Sequence, residues 1–463
     1  MTSPPTLSPR SVLVDGFSQD ATSCARRLAT EGHRVTIAGA GNVPAEVLAL
    51  RDVGVTVSRD NGNDASFLAD VLVVDCWTAE TASVVVRHRA AGARVTSIGD
   101  LILERCHART LGVTGSAGKT TATRLAVAMM EAGGVAVRAS TSARAGNAWP
   151  AAELIESLPG PPATTWLALE LTSTHLAYMQ TSPDVAVITA FWPDHIELHG
   201  SLQRYRDAKA TILRYQDSDG ICVVNVDDPG AVTFAADVHG RLCQASAERA
   251  VTSGVGVEGD VVVARVDGTA TTLCRRDEIP VPAPLASIAV TAACAALACG
   301  AGPAGVARQL TTPAALVHRR QVLGRVDGVT VIDDSAATTP RKARSSLVGL
   351  DPTLVITIVG GQLDIGGVAV HASSEEAAEL VHACAALAVC RAVIAFGPAA
   401  QRIPGATRTT TLADAVRLAR QRAQPGDTIV LAPMFPVTME ERATFAHLAG
   451  LASGSGPCTT VGR

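Results

Sequence analysis

The seven residues Gly115-Ser116-Ala117-Gly118-Lys119-Thr120-Thr121 combine two glycines, a lysine and two adjacent threonine hydroxyls behind the apolar run Leu111–Thr114. Glycine lets the backbone curl so that several N–H groups point at one phosphate. The pattern predicts a helix over Thr120–Met130, whose N-terminus would add the positive end of its dipole. In that setting Lys119 is a point charge for terminal phosphates and the Thr120 hydroxyl a ligand for magnesium. A longer form of this loop has a further glycine where this chain has Val113, so the match is to the shorter GxxGK[ST] pattern. An ordinary glycine-rich turn accounts for the glycines but not for the lysine and the paired threonines. The chemistry indicated is binding of ATP with Mg2+.

Three more residues carry chemistry. Glu170 ends the apolar run TWLALEL, at the strand end where open α/β sheets bind ligands, and is placed to hold a second magnesium. His195, in Pro193-Asp194-His195, lies beyond the run DVAVITAF and so at the same edge; a neutral imidazole there can ligate magnesium or orient a ligand. Lys209 belongs to Ser201–Tyr215, which reads as a helix capped by Ser201, and it falls on the apolar stripe of Leu202, Tyr205 and Ile212. An ammonium on an inward face is costly, so its pKa should fall. A neutral amine can then take up carbon dioxide as a carbamate, replacing a buried cation by an anion able to bind metal. Taken one by one, a surface glutamate, a solvated histidine and a lysine that snorkels to water remain open readings.

The elements that must position these residues follow a regular rhythm. Short Val/Ile/Leu/Ala runs alternate with helical stretches, which predicts an α/β chain with parallel sheets and crossover helices. It opens like a Rossmann domain, with SVLVDGF, a helix over ATSCARRLATEG, then RVTIAGAG. Gly39-Ala40-Gly41 lacks the third glycine of the dinucleotide fingerprint, which argues against a dehydrogenase. The unit around Asp70–Val74 and the segment RVTSIGDLIL near Arg94–Leu103 continue that pattern. A second sheet starts at LGVTGSAGKTT and includes TWLALEL, DVAVITAF and GICVVNV. A third begins near Ala314–Val317, with strands GVTVIDD, LVITIVGG, RAVIAFG and DTIVLAP, and SGSGPCTTVGR is expected to be a loose tail.

Composition removes several classes. At 463 residues the chain exceeds one core, and 47% hydrophobic content can fill several. A net charge of -4 without a basic block, and 3% aromatics, exclude a nucleic-acid surface. No run approaches the ~20 apolar residues of a membrane span, and MTSPPTLSPR lacks the layout of a signal peptide. Eleven cysteines scattered without a CxxC pair read as reduced thiols of a cytoplasmic protein. An ordinary kinase or GTPase is disfavoured, because no NKxD-like base reader is present and Lys209 and the third sheet would be unexplained.

Together GVTGSAGKTT, LALELTSTHL, PDHIELHGSLQRYRDAKATI, VVNVDD, VHRRQ and VIDDSAATT resemble the Mur ligase family in order and spacing, nearest to its glutamate-adding branch. The resemblance implies three domains: residues 1–109, Rossmann-like, for a UDP-sugar donor; 110–312, a P-loop ATPase-like parallel sheet for ATP; and 313–463, Rossmann-like, for the acceptor. It implies a carboxylate–amine ligase acting through an acyl phosphate, a monomer serving peptidoglycan precursor synthesis. In the family Lys119 and Thr120 hold ATP, Glu170 and His195 hold magnesium, and the counterpart of Lys209 is carbamylated. Arg319 reaches the ATP phosphates, Asp334 lies near the adenosine, and His318, Ser335 and Asn147 belong to motifs that bind substrate. Two alternatives accompany this reading: an amide synthetase of specialised metabolism with another acceptor, and a nucleotide-binding regulatory protein without activity.

The departures from the family pattern concentrate on the acceptor side. Ala336 stands where the family's NDSKATN has a lysine, and Gly360-Gly361-Gln362-Leu363-Asp364 lacks the lysine of GGxDK. Ala432-Pro433-Met434-Phe435-Pro436 has no matching serine, and Ala286-Ser287-Ile288-Ala289-Val290 loses asparagines near the adenine. Asp20 puts a carboxylate where a diphosphate would approach. The residues for phosphoryl transfer are kept, so an active ligase with altered acceptor specificity is expected, for which D-glutamate is a poor acceptor.

Overall fold

The computed structural model describes residues 10–59, 67–75, 78–139, 152–281, 283–313, 316–365, 368–371 and 373–448. Valine- and leucine-rich runs form three principal sheets. The first has strands Thr56–Ser58, Arg34–Ala38, Ser11–Asp15, Val71–Val74 and Arg94–Ser97 side by side and all parallel. In sequence that is the order 3-2-1-4-5 of a doubly wound sheet.

The second sheet has nine strands. Seven neighbouring strands are parallel: Gly254–Glu258, Arg241–Ala245, Ile221–Asn225, Val185–Ile188, Arg109–Thr114, Trp166–Glu170 and Val137–Ala139. Parallel strands need both faces covered, and the side chains divide accordingly. Leu111, Val113, Ala168 and Val187 pack with helices Lys119–Ala132 and Ala283–Ala298. Leu167, Leu169, Ala186 and Ile188 share the other cluster with Ile212 and Leu213 of helix Leu202–Arg214 and with Val12 and Val14 of the first sheet. From Gly254–Glu258 the chain continues through Val261–Val266 and Thr269–Arg275 as an antiparallel meander at one edge. The sequence reading missed it; its outermost strand, TATTLCR, is largely polar and half exposed, so no apolar run announces it.

The third sheet runs Gln321–Val326, Val329–Asp333, Thr428–Met434, Val355–Gly360, Ala392–Phe396 and Thr407–Thr409. Its first two strands form an antiparallel hairpin and the others are parallel. The mixed α/β class and the parallel strands expected from the rhythm are present; the hairpin's first strand and the short edge strand were not foreseen. Among the described residues no helix is long and apolar enough to cross a membrane.

Candidate active site

Four strands of the second sheet, ending at Thr114, Glu170, Ile188 and Asn225, point their carboxyl ends at the third sheet. Between the two lies a cavity of about 390 Å³. Ser116 through Thr121 and Glu170 line one wall; Arg319, Asp334 and Ala336 line the other.

The loop from Gly115 to Gly118 is fixed from outside. Gly115 and Gly118 have φ of 152° and 81°, values that side chains rarely adopt. A Cβ on Gly115 would lie 2.0 Å from Thr189 Oγ1, so the seat admits only glycine. The Thr189 hydroxyl sits 3.0 Å from Thr114 O and 2.5 Å from Ala117 O. Asn225 Nδ2 donates to Thr189 O at 2.8 Å, and Ser287 Oγ donates to Asn225 Oδ1 at 2.8 Å. Ser116 Oγ donates to Trp192 O at 3.0 Å and meets Tyr205 Oη at 2.9 Å. Gly118 occupies the N-cap of helix Lys119–Ala132 without a side-chain cap, so the first-turn N–H groups are not taken by a capping side chain.

Lys119 folds over this loop, with Nζ 3.0 Å from Gly115 O. Burial pushes its pKa down, Glu170 pulls it back and Lys342 adds to the lowering. Thr120 is a junction. Its hydroxyl donates to Glu170 Oε2 at 2.7 Å and accepts from Arg319 Nη2 at 3.0 Å. The loop, a strand end of the second sheet and an arginine preceding the third thus meet at one oxygen.

Helix Leu202–Arg214 is capped by Ser201, whose side chain accepts from Arg204 N. Lys209 is 1% exposed beside Tyr205 and Ile212, at 1% and 0%, whereas Leu202 is only half-buried. Its Nζ lies 4.7 Å from the centre of the Tyr205 ring. Burial drives the amine's pKa far down, aided by the charge of Lys119 and opposed by Asp194. His195 has φ 56° and starts the turn Ile196–His199. Its Nδ1 is 3.4 Å from Glu197 Oε1 and its Nε2 3.7 Å from Asp194 Oδ1. Burial would raise the Asp194 carboxyl, but His195, Lys342, His371 and Lys119 outweigh it and hold the group far below the usual range.

Neither His195 nor Lys209 is among the residues that line the cavity, and other expected residues also fall elsewhere. His318 lies outside the cavity lining; its Nδ1 is 2.7 Å from Asp333 Oδ2. Ser335 is 0% exposed, and its backbone N–H donates to Asp333 Oδ1 at 2.8 Å. Asp334 lines the cavity; burial raises its carboxyl to about 6 against the lowering bond from Ser346. Asp20 is 3% exposed, in the first turn of helix Gln19–Thr30. Asn147 lies outside the described residues. The sequence reading did not single out Thr189, Trp192, Arg341 or Lys342, all on the cavity wall. Only the strand-end polar residue of GICVVNV offered a signal, for Asn225.

Thr120 and Glu170 form an oxygen pair suited to a hard cation. Among the described residues no group of three or more His, Cys, Asp or Glu side chains is gathered to hold a metal alone. The glycine loop, the uncapped helix start and Lys119 suit a polyphosphate.

Comparison with known proteins agrees with this geometry. Residues 113–285 match the Mur ligase middle domain and residues 318–435 the Mur ligase, glutamate ligase domain. The chain is 32% identical over 358 residues to the UDP-N-acetylmuramoylalanine–D-glutamate ligase of Symbiobacterium thermophilum, covering 74% of each chain. It is 31% identical to the enzyme of that name from Frankia casuarinae, over 91% of this chain and 88% of that one. In fold it is similar to the MurF ligase of Thermotoga maritima solved with ADP, at TM-score 0.58 and 15% identity over 96% of this chain and 99% of the other. The Escherichia coli FolC structure with DHPP and ADP aligns at TM-score 0.53 and 17% identity, over 75% of this chain and 90% of that one.

Proposed function

This chain belongs to the Mur ligase family, and from that premise we propose how its residues divide an ATP-dependent amide synthesis. It is an ADP-forming carbon–nitrogen ligase of peptidoglycan precursor synthesis. Residues 1–109 take the UDP-linked donor, 110–312 take ATP, and 313–463 bring the acceptor amine, in a cytoplasmic monomer. The observation that carries this reading is the Thr120 junction, where Glu170 and Arg319 meet the phosphate loop at 2.7 Å and 3.0 Å.

The donor carboxylate attacks the γ-phosphorus of ATP in line, giving an acyl phosphate and ADP. The amine then attacks the acyl carbon, and phosphate leaves from the tetrahedral adduct. Loop N–H groups and Lys119 hold the β- and γ-phosphates, and Arg319 draws the third domain onto them. Magnesium would be held by Thr120 and Glu170, with His195 and the carbamate of Lys209 as its further ligands, and would neutralise charge on the transferring group. Lys209 serves as its carbamate: a buried neutral amine is the form that reacts with carbon dioxide, and the site needs anionic oxygen. His318 and Ser335 hold the start of the third domain in place through Asp333, and Asp334 faces the nucleoside.

Hydroxylamine tests the first half-reaction without a natural acceptor. Enzyme, ATP, Mg2+ and UDP-N-acetylmuramoyl-L-alanine should yield ADP and a donor hydroxamate. ATP binding without either product would leave a nucleotide-binding regulatory protein as the better reading.

A further inference from the structure

A second cavity, of about 260 Å³, lies beside the edge meander and shares no lining residue with the first. Two cysteines stand on its wall, Cys243 of strand Arg241–Ala245 and Cys294 of helix Ala283–Ala298, with Arg241 and Ser253 near them. Cys294 Sγ lies 3.8 Å from O of Gln244, the residue after Cys243, and the two thiols are hydrogen-bonded to each other. That bond and the charge of Arg241 pull the Cys243 thiol down against burial, while the same bond, together with burial, pushes Cys294 up. One sulfur thus carries thiolate character and its neighbour keeps a proton, the division needed for a nucleophilic thiol and a second that follows it. Burial raises Cys24, Cys222, Cys274 and Cys299, as it does inert core thiols.

Both cysteines sit on elements that reach the phosphate loop. Cys294 lies two turns after Ser287 on the same helix face, and Ser287 Oγ braces Asn225 at 2.8 Å. Ile288, next to it, packs so near Gly118 that a Cβ there would lie 2.6 Å from Ile288 Cδ1. The strand of Cys243 pairs with Ile221–Asn225, the strand that ends in Asn225. A disulfide holds its sulfurs about 2.05 Å apart, nearer than hydrogen-bonded thiols stand, so forming one draws the helix toward the strand. Ser287 and Ile288 move with the helix, and the loop they brace is displaced with them.

We propose that Cys243 and Cys294 form a modification site that reacts with hydrogen peroxide, and that its oxidation to a disulfide weakens ATP binding. The Cys243 thiolate attacks one peroxide oxygen; the O–O bond breaks, the sulfur becomes a sulfenic acid, and the leaving hydroxide takes up a proton. The Cys294 sulfur then attacks the Cys243 sulfur; the S–O bond breaks, and water leaves with the Cys294 proton. Two thiols and one peroxide give one disulfide and two waters. The site goes beyond the ligase reading and needs neither donor nor acceptor.

The test exposes the full chain to a small excess of hydrogen peroxide, blocks the remaining thiols by alkylation and maps the peptides by mass. A linked Cys243–Cys294 pair, lighter by two hydrogens than the free peptides, should appear before the half-buried Cys384 and Cys390 react. Titration calorimetry should show the Kd for ATP with Mg2+ rising about fivefold in the linked protein, and dithiothreitol should reverse it. Cys294→Ser should stop at a sulfenic acid on Cys243, which dimedone traps, and Cys243→Ser should form neither product. A disulfide elsewhere, oxidation of Cys243 no faster than that of Cys384, or a linked protein that binds ATP as before would overturn the proposal. The wild-type peptide map and titration decide even where a variant fails to fold. Because neither depends on turnover, the result is separate from that of the hydroxamate assay.

Discussion

The first and second sheets each contain the same unit, a parallel strand, a short loop and a helix, with opposite chemistry in the loop. In the second sheet, strand Arg109–Thr114 passes through Gly115 and Gly118 into helix Lys119–Ala132, with glycine at the N-cap and lysine next. In the first, strand Ser11–Asp15 passes through Gly16, at φ 88°, into helix Gln19–Thr30. There the Ser18 side chain accepts from Ala21 N, so the helix start satisfies itself. Carboxylates stand around it: Asp15 ends the strand, Asp20 lies in the first helical turn, and a Cβ on Gly16 would come within 2.8 Å of Asp75 Oδ2. The backbone motif supplies a place for a ligand, while cap and charge decide whether a phosphate is welcome.

Removing the lysine that distinguishes the second loop has the largest expected effect. Lys119→Ala should lower turnover by about a thousandfold or more, since phosphoryl transfer depends on positioned positive charge. Circular dichroism should remain that of the wild type. ADP release at the wild-type rate would show that the two loops do not differ where it matters.

Next comes the carbamate proposed for Lys209. Lys209→Ala should lose about a hundredfold in kcat, in the range seen for supporting groups of metal sites. Short carboxylates such as formate should restore part of it, because they can replace a carbamate. Lys209→Arg should not respond, because its cation persists. Near-normal turnover of Lys209→Ala would assign the lysine to packing alone.

The smallest effect belongs to the first loop and concerns stability. Burial, with a further push from Asp75 and against the Thr78 hydrogen bond, raises Asp15 to about 6 from 3.8. A carboxyl raised on folding favours the folded state below its unfolded pKa and loses that advantage as pH rises through the folded value. Asp15→Asn should therefore raise the melting temperature at pH 8, by the equivalent of about 1–3 kcal/mol. At pH 4 the gain should vanish. An equal gain at both pH values would mean that the charge of Asp15 is not what strains this edge.

The second loop was legible because its chemistry is local. Lys119, Thr120 and Glu170 lie at strand ends that apolar runs announce, and Lys209 betrays itself by its place on a helical stripe. What was illegible depends on distant contacts. Arg341 and Lys342 look like surface cations in PRKARS until the third sheet sets them on the cavity. Thr189 is one threonine among many until its hydroxyl is seen between two loop carbonyls. His318 and Ser335 were expected on substrate, and each has a hydrogen bond to Asp333 that no local pattern announces. No local pattern distinguishes a residue that touches a ligand from one that braces its neighbour.

The chain of bonds from Ser287 through Asn225 and Thr189 to the phosphate loop bears on how this region opens. Glycine-rich loops ordinarily exchange their amide hydrogens quickly, through fluctuations that leave the rest of the domain intact. Here the loop is tied to two strands and to helix Ala283–Ala298 through three buried polar side chains. Freeing it orphans buried groups in each of those elements at once. Opening the loop thus becomes opening the sheet, and its amides inherit the slow exchange of the core.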